Sequence, residues 1–264
     1  MIDLLILEGI LLIFFVWSAL LSNTTNTGNF SWKDLRRRGR TISPAYPIAI
    51  LALIVLAFAI IILKYPGDFL LIYLKGVLSI IILAHAWWFS LHKKKAVWIA
   101  AFAVALFIIL WRWLDPSAVS HDLFLAAALV WIGPFFVQQK ILTAQRLIVL
   151  GALLFFYDII YVWLTPTAQY LSAVGGGIGF PFALFVGGIS IGTGDILWGN
   201  FVLAVVKRKK YQFGLIAAFI IADILLGMFA YGTNYTSFFP LLILWAPIGI
   251  FSLSLLRDDL RWKK

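Results

Sequence analysis

The chain has 264 residues, of which 63% are hydrophobic and only 12% are charged, whereas soluble domains average about 45–50% apolar and about 25% charged residues. This composition excludes an ordinary water-soluble globular protein, and the absence of cysteine excludes disulfides, thiolate nucleophiles and cysteine-based metal sites. A net charge of +10 would suggest nucleic-acid binding in a soluble domain, but here the basic residues lie between apolar segments, and we expect no nucleic-acid partner.

Nine apolar segments follow one another along the chain, and each is long enough to cross about 30 Å of hydrocarbon. They predict an all-α polytopic membrane protein of nine transmembrane helices in contact with the lipid bilayer. The predicted spans cover residues 2–22, 45–63, 68–91, 96–114, 122–139, 147–164, 181–205, 211–231 and 238–256. Since span 1 has no basic residues before it and no small-residue cleavage site, we expect a retained helix and not a signal peptide.

Basic residues concentrate on one predicted side of the membrane. Of the 21 lysine and arginine residues, 18 lie after spans 1, 3, 5, 7 and 9. The other side holds only Lys64, Lys75 and Arg112. Because cytoplasmic loops have the excess of basic residues, the sequence predicts a multi-pass integral membrane protein with its amino terminus outside and its carboxy terminus in the cytoplasm.

Two aspartates on neighbouring spans fall at mid-bilayer depth, where ionisable side chains are costly and mark candidate functional sites. Asp158 lies 12 residues after Arg146 on span 6, and Asp195 lies 12 residues before Lys207 on span 7. At 1.5 Å per residue, both lie about 18 Å from the cytoplasmic ends of adjacent, antiparallel helices. The two carboxyls can therefore meet if they share a face.

A carboxyl pair of this kind has a defined chemistry. Two carboxyls in contact at low dielectric cannot both ionise at low cost, so the pair shares a proton. The ionised member takes a proton from water and the protonated member polarises an amide carbonyl, which gives a tetrahedral gem-diol on the way to hydrolysis. This chemistry needs no metal and no other cofactor. Alternatively, each aspartate pairs with a hydroxyl or caps a broken helix.

Short motifs accompany both aspartates. Asp158 follows Tyr157, and Asp195 ends the motif Gly192-Thr193-Gly194-Asp195. Glycines at this spacing allow close approach of another backbone, either a neighbouring helix or a substrate. A third motif, Pro240-Leu241-Leu242 followed by Pro247, starts span 9. Proline there leaves local backbone polar groups free to bind an extended chain.

These motifs, on nine spans, resemble those of the GxGD intramembrane aspartyl proteases, the family of presenilin and signal peptide peptidase. The resemblance implies that Asp158 and Asp195 are the catalytic dyad, and that substrate contacts come from Tyr157, Gly192, Thr193, Gly194, Pro240, Leu241 and Leu242. Leu241 departs from the family, which has alanine at that position. The resemblance also implies scaffold helices (spans 1–5) in residues 1–139 and catalytic helices (spans 6–9) in residues 140–264, within one integral membrane unit.

The predicted orientation favours the signal-peptide-peptidase branch, because presenilin-like members have their amino terminus in the cytoplasm. We therefore expect an aspartic endopeptidase that cleaves type II membrane segments, including remnant signal peptides. Its partners would be single-pass transmembrane or signal-peptide substrates, and the compact chain suggests a prokaryotic, archaeal-type member. The glycine-rich connection at residues 175–179 beside Pro181 is a candidate strand edge or gate for an extended substrate. The sequence leaves the oligomeric state open.

Two alternative functions stay open. The first is a proton- or ion-coupled transporter in which Asp158, Asp195 and Asp223 form a carboxylate relay at mid-membrane depth. The second is a type IV prepilin or preflagellin peptidase, which is also a GxGD enzyme. That class has fewer spans and cleaves at the cytoplasmic membrane surface, so the nine spans and the prolines of span 9 count against it.

Three further polar residues lie within predicted spans. Asp223 on span 8 is about 20 Å from Lys210 along the helix. We expect it to have a structural partner such as Gln212 or a hydroxyl. The alternatives are that it lines a water path or tunes the dyad. Glu8 on span 1 is close enough to the outer end to extend to the interface. His85 on span 3 lacks a second ligand at helical spacing, so we expect a hydrogen-bonded histidine and no metal site.

Overall fold

The computed structural model describes residues 2–24, 68–90, 93–139, 141–160, 183–186, 189–232 and 242–260. These residues are mostly helical, and five of their helical segments are long and apolar enough to cross a membrane. The five segments are Leu5–Ser22, Ile72–Ser90, Lys95–Leu114, Ala118–Gln138 and Lys209–Met228. The protein is therefore a largely helical, membrane-embedded protein. Predicted span 2 lies outside the described residues.

Nine α-helices and one β-hairpin are found in the described residues. They are α1 (Ile2–Thr24), α2 (Asp68–Ser90), α3 (Lys95–Leu114), α4 (Ala118–Leu129), α5 (Ile132–Gln138), α6 (Ala144–Ile159), β1 (Ala183–Val186), β2 (Ile189–Gly192), α7 (Thr193–Val205), α8 (Lys209–Gly232) and α9 (Leu242–Leu255). A short 3-10 helix, Arg257–Asp259, follows α9. Predicted spans 1, 3, 4 and 8 match α1, α2, α3 and α8 to within two residues at each end, because a long apolar run needs no tertiary contact to specify a spanning helix.

Predicted span 7 is wrong over its first half. The helix begins only at Thr193, and the residues before it form the antiparallel hairpin β1–β2, in which Ala183 pairs with Gly192 and Leu184 with Ile191. Apolarity alone does not distinguish a buried strand from a helix. Gly187 and Gly188 separate the two strands in the sequence, and a glycine pair between two β-prone runs is typical of a hairpin connection.

Helix α7 lies at the centre of the described structure. Its 13 residues pack against α1, α5, α6, α8 and α9, and its side chains are buried around most of the helix circumference, including Ile196, Trp198 and Val202. A helix that is apolar on all sides is stable only when other elements surround it. The two strands add to the same core, because the paired residues Leu184 and Ile191 are both buried in it.

Asn200 of α7 anchors that helix at the break between α4 and α5. Pro134, four residues after Val130, has no N–H to donate to the Val130 carbonyl. Asn200 Nδ2 donates instead to the carbonyls of Leu129 at 2.9 Å and Val130 at 3.2 Å, and Asn200 Oδ1 accepts from Ser18 Oγ of α1. One buried amide therefore satisfies helix-end carbonyls and connects α7 to α1 and α4.

The turn between α7 and α8 lies against the residues that follow α9. Lys207 N donates to Asp259 O at 2.8 Å, Arg208 Nε lies 2.6 Å from Asp259 Oδ1, and Val206 pairs with Leu260 in an isolated β-bridge. Two of the basic segments predicted on the cytoplasmic side, those after spans 7 and 9, therefore meet at one end of the molecule.

The end of α1 lies at this same end of the structure. Gln212 Nε2 near the start of α8 donates to the carbonyls of Leu203 at 3.1 Å and Val206 at 2.9 Å, and it also contacts Ser22 Oγ in the last turns of α1. The last turns of α1 therefore lie at this end as well.

The turn between α3 and α4 is stabilised by side-chain hydrogen bonds. Asp115 accepts from Ser117 Oγ at 2.7 Å, from Ser117 N at 3.0 Å and from Trp111 Nε1 at 2.9 Å. These bonds hold the pKa of Asp115 below its usual value, the Ser117 hydroxyl having the largest effect. Ser117 in turn caps α4 by accepting from Ser120 N.

Candidate functional site

Asp195 lies in the first turn of α7, immediately after the hairpin. Strand β2 ends at Gly192, which is the N-cap of α7, and Asp195 is the third helical residue. The positive end of the helix dipole and the unpaired N–H groups of a first turn favour a carboxylate at this position. The side chain is only partly buried. Asp195 therefore combines a fixed backbone with access from outside the core.

Gly192 leaves space beside the Asp195 carboxyl. A Cβ at residue 192 would lie 2.8 Å from Asp195 Oδ2, so the carboxyl would have to move. The backbone of Gly192, with φ −64° and ψ 143°, is one that any residue adopts. Gly194 is exposed and a Cβ there would meet no atom within 4 Å. The two glycines of the motif therefore differ: the first makes room for the carboxyl, and the second leaves an open surface beside it.

Asp158 lies near the end of α6, which the structure describes from Ala144 to Ile159. The helix is continuous from Arg146 to Asp158, a rise of about 18 Å at 1.5 Å per residue. The backbone of Tyr157 is part of the same helix. The side chains of Tyr157 and Asp158 lie outside the described part of the structure.

Trp198, one turn after Asp195, connects three helices. Its Nε1 donates to the carbonyl of Trp245 on α9 at 2.9 Å. Its ring lies against Gly151 of α6 and Gly249 of α9, where a Cβ would overlap the indole. We call this arrangement the Trp198 contact. It packs the helix of Asp195 against the helix of Asp158 and against the helix that follows the proline motif.

The Trp198 contact relates the two aspartates along their helices. Gly151 precedes Asp158 by seven residues and Trp198 follows Asp195 by three, which correspond to about 10 Å and about 4.5 Å of helical rise. In the predicted antiparallel order of α6 and α7, both aspartates would lie on the same side of the contact.

The proline motif lies at the start of α9. Pro240 and Leu241 are outside the described residues, and Leu242 is the first residue of the helix. Pro247 is inside α9 and exposed. Because proline has no N–H, the helix lacks the hydrogen bond that residue 247 would give to the carbonyl four residues earlier. Local backbone polarity near the start of α9 is therefore available for other contacts.

A second pair of carboxyls, which the sequence did not predict as a pair, joins α1 and α8. Glu8 and Asp223 are 5% and 7% exposed, and their carboxyls lie near enough to interact with each other. The expectation that Glu8 extends to the interface is therefore wrong. Gln212, an expected partner of Asp223, instead contacts Ser22 Oγ and the carbonyls of Leu203 and Val206. No local pattern could have revealed this pair, because its members are far apart in the sequence.

A mainly apolar groove of about 990 Å³ lies between α1, α2, α3 and α4, and none of its lining residues belongs to α6, α7 or the hairpin. Its titratable lining residues are His85 and Asp122. His85 Nδ1 is 3.0 Å from the carbonyl of Ala127, and its ring stacks on Trp131. The prediction of a hydrogen-bonded histidine is therefore confirmed. Within the described ranges, no three His, Asp or Glu side chains lie close enough together to hold a metal ion.

Comparisons with known proteins give no relative for this chain: no family model, no curated protein and no solved structure matches it. The chemistry of the residues around Asp195 therefore has to support the functional conclusion.

Proposed function

We propose that this protein is an intramembrane aspartyl protease that hydrolyses peptide bonds within transmembrane segments, with Asp158 and Asp195 as its catalytic dyad. The main support is the position of Asp195 in the first turn of a buried helix, directly after a β-hairpin, with Gly192 leaving room for its carboxyl. The Trp198 contact supports the pairing, because it packs α7 against the helix of Asp158.

In the proposed reaction, the ionised aspartate removes a proton from a water molecule, and the water oxygen attacks the scissile carbonyl carbon. The protonated aspartate donates its proton to the carbonyl oxygen, which gives a neutral gem-diol. In the collapse of the gem-diol, one of its hydroxyls returns a proton to the aspartate that is now ionised, and the nitrogen takes the proton of the other aspartate. The C–N bond breaks, the products are a carboxylic acid and an amine, and the dyad again has one proton. No cofactor enters this scheme. The role of the protein is to hold two carboxyls, one protonated, on either side of an amide.

A transmembrane substrate helix must first unwind, since its amides are hydrogen-bonded and shielded from water. The hairpin offers a place for an extended chain, because each of its two strands has one edge without a strand partner among the described residues. Strand β2 leads directly to Asp195, so a chain paired along this hairpin would pass beside the carboxyl. Gly194 and the half-buried Thr193 would then contact it. Pro240, Leu241 and Leu242 would bind the chain from the side of α9.

The proposal includes nine spans and the orientation predicted from charge, with the amino terminus outside. An active site on α6 and α7 also fixes the direction in which a substrate chain passes through it. We therefore propose type II segments, whose amino ends are in the cytoplasm, as substrates, including signal peptides left in the membrane after cleavage.

The first experiment is mass spectrometry of a signal-peptide-like transmembrane substrate after incubation with the purified protein in detergent. We expect cleavage within the hydrophobic stretch by the wild type, and a loss of at least about 10³-fold in Asp158→Asn and in Asp195→Asn, since each removes one half of the acid–base pair. Asp223→Asn is the matched control, a buried aspartate outside the dyad, and should retain cleavage.

A second substrate of type I orientation, reconstituted with the protein in vesicles, tests the direction of the chain. Cleavage of the type I substrate with an intact type II counterpart would contradict the substrate assignment. Cleavage that survives in either dyad variant would overturn the dyad itself. If all substrates stay intact while the three Asp→Asn changes abolish proton or ion flux, the transporter alternative is supported instead.

A further inference from the structure

The Glu8–Asp223 pair lies in an environment with no compensating cation among the described side chains of the elements packed around it. Helix α1 packs against α5, α7, α8 and both strands, and α8 packs also against α7 and α9. On these elements the described titratable side chains other than the pair are Asp195, Lys209, Lys210 and Tyr211. The last three lie at the start of α8, where even Tyr211 is about 18 Å from Asp223 along the helix.

The opposite face of α1 offers no cation among the described residues either. There Ile6, Ile10 and Ile13 line the apolar groove, whose titratable residues are His85 and Asp122, and Glu8 is not part of its lining. His85 is already bonded to the carbonyl of Ala127. Within the part of the chain that the structure describes, the Glu8–Asp223 pair therefore lies between α1 and α8 without a basic partner.

Both oxygens of Glu8 and Oδ2 of Asp223 are buried and have no hydrogen-bond partner within the described residues. Ionised carboxylates only accept hydrogen bonds, so two carboxyls bond to each other only when at least one is protonated. A proton shared between the two carboxyls would therefore satisfy these oxygens. Two adjacent carboxylates at this burial would meet both the desolvation penalty and mutual repulsion.

We propose that Glu8 and Asp223 form a proton-binding site, separate from Asp195, in which a shared proton holds α1 to α8. Phe15 lies two turns after Glu8 on α1, and Phe219 lies one turn before Asp223 on α8. These two rings and that of Trp245 on α9 form an apolar cluster with centroid separations of 4.9–6.2 Å. The proton completes this contact with a polar bond. Loss of the proton would leave two carboxylates facing each other and push α1 away from α8.

The site is coupled to the catalytic region through α1. This helix packs against α7 and against both strands of the hairpin, and its Ser18 donates to Asn200 of α7. Displacement of α1 at Glu8 would therefore loosen the elements that position Asp195. The proton-binding site itself does not depend on the proposed protease activity, and its test needs no substrate.

Infrared spectroscopy of the purified full-length protein tests for the bound proton. The wild type should show the C=O stretching band of a protonated carboxylic acid at neutral pH, and part of this band should be absent in Glu8→Gln and in Asp223→Asn. Ser18→Ala is the control, because it removes a buried polar contact of the same helix without removing a titratable group. A band of equal intensity in the wild type and both variants would overturn the proposal.

Thermal unfolding in detergent between mildly acidic and alkaline pH provides the second test. The wild type should lose several degrees of melting temperature as the pH rises and the pair ionises. The double variant Glu8→Gln/Asp223→Asn keeps hydrogen-bonding groups but has no proton to lose. Its melting temperature should therefore fall less than that of the wild type as the pH rises. Ser18→Ala should be less stable at every pH while keeping the slope of the wild type.

Two outcomes of the unfolding experiment would overturn the proton assignment. One is a double variant that loses stability with pH as steeply as the wild type does. The other is a wild type that sodium chloride, but not choline chloride, stabilises at alkaline pH, with the effect absent in the double variant. That result would identify the ligand as a monovalent cation.

Discussion

At the residue scale, the carboxyl of Asp195 depends on a neighbour that has no side chain. Gly192 precedes α7 with an ordinary extended backbone, so its lack of a side chain matters for the space beside the Asp195 carboxyl and not for the backbone conformation. A methyl group at this position would lie 2.8 Å from Asp195 Oδ2. The motif Gly192-Thr193-Gly194-Asp195 therefore contains two glycines with different physical roles.

This difference predicts opposite outcomes for two alanine substitutions. Gly192→Ala should displace the Asp195 carboxyl and lower kcat for peptide cleavage by about tenfold or more, since a displacement of 1 Å in a catalytic group can cost about 10²-fold. Gly194→Ala adds its methyl to open space and should leave kcat and the melting temperature near those of the wild type. Kinetics and thermal unfolding of both variants provide the check. Equal losses of kcat in the two would contradict the steric argument.

At the element scale, the Trp198 contact determines how α6, α7 and α9 pack. Trp198 is completely buried, and Gly151 and Gly249 approach its ring closely enough that neither tolerates a Cβ without movement. Small residues at helix interfaces let the backbones approach one another. The large side chain of Trp198 on α7 and the lack of a side chain at Gly151 on α6 therefore set the distance between these two helices.

Enlarging Gly151 should separate these helices. We expect Gly151→Leu to destabilise the protein by about 1–3 kcal/mol, the usual cost of overpacking, and to lower cleavage more than the loss of folded protein explains. Gly214→Leu is the matched control, because Gly214 is exposed on α8 with no atom within 4 Å of its Cβ position. Melting temperature and initial rate, measured on the same preparations, separate the two effects. A Gly151→Leu enzyme with wild-type activity would contradict the role of the Trp198 contact.

At the scale of the whole molecule, the described parts of two basic segments lie at a single end, together with the last turns of α1. The turn between α7 and α8 contacts Asp259 and Leu260 after α9, and Gln212 connects the same region to the last turns of α1. This clustering is what a charge-determined membrane orientation requires. It supports the proposed topology, in which this end faces the cytoplasm.

The absence of cysteine makes the orientation directly measurable. Lys94 and Pro116 are both exposed and lie at opposite ends of α3. In intact cells, a membrane-impermeant maleimide should label Pro116→Cys, since residue 116 is predicted outside, and should label Lys94→Cys only after the membrane is opened. Detergent-solubilised protein, in which both positions should react, is the control. The reverse pattern would invert the topology and, with it, the proposed substrate orientation.

The sequence by itself determined the features that depend on local composition. Long apolar runs specified α1, α2, α3 and α8 almost to the residue, because the hydrocarbon core imposes both the length and the helical hydrogen bonding of each span. The helical position of Asp158 followed from the same rule, whereas Asp195 lies in the first turn of a helix shorter than the predicted span. Their pairing as a dyad and the substrate contacts stay predictions.

Only the tertiary structure decided the features that depend on distant residues. The apolar run before Thr193 fits a strand as well as a helix, and packing of Leu184 and Ile191 into the core selects the hairpin. Asn200 bonds the carbonyls left open before Pro134, and Glu8 meets Asp223 only after α1 and α8 pack. In each case the partner lies far along the chain, so only the folded chain brings the interacting groups together.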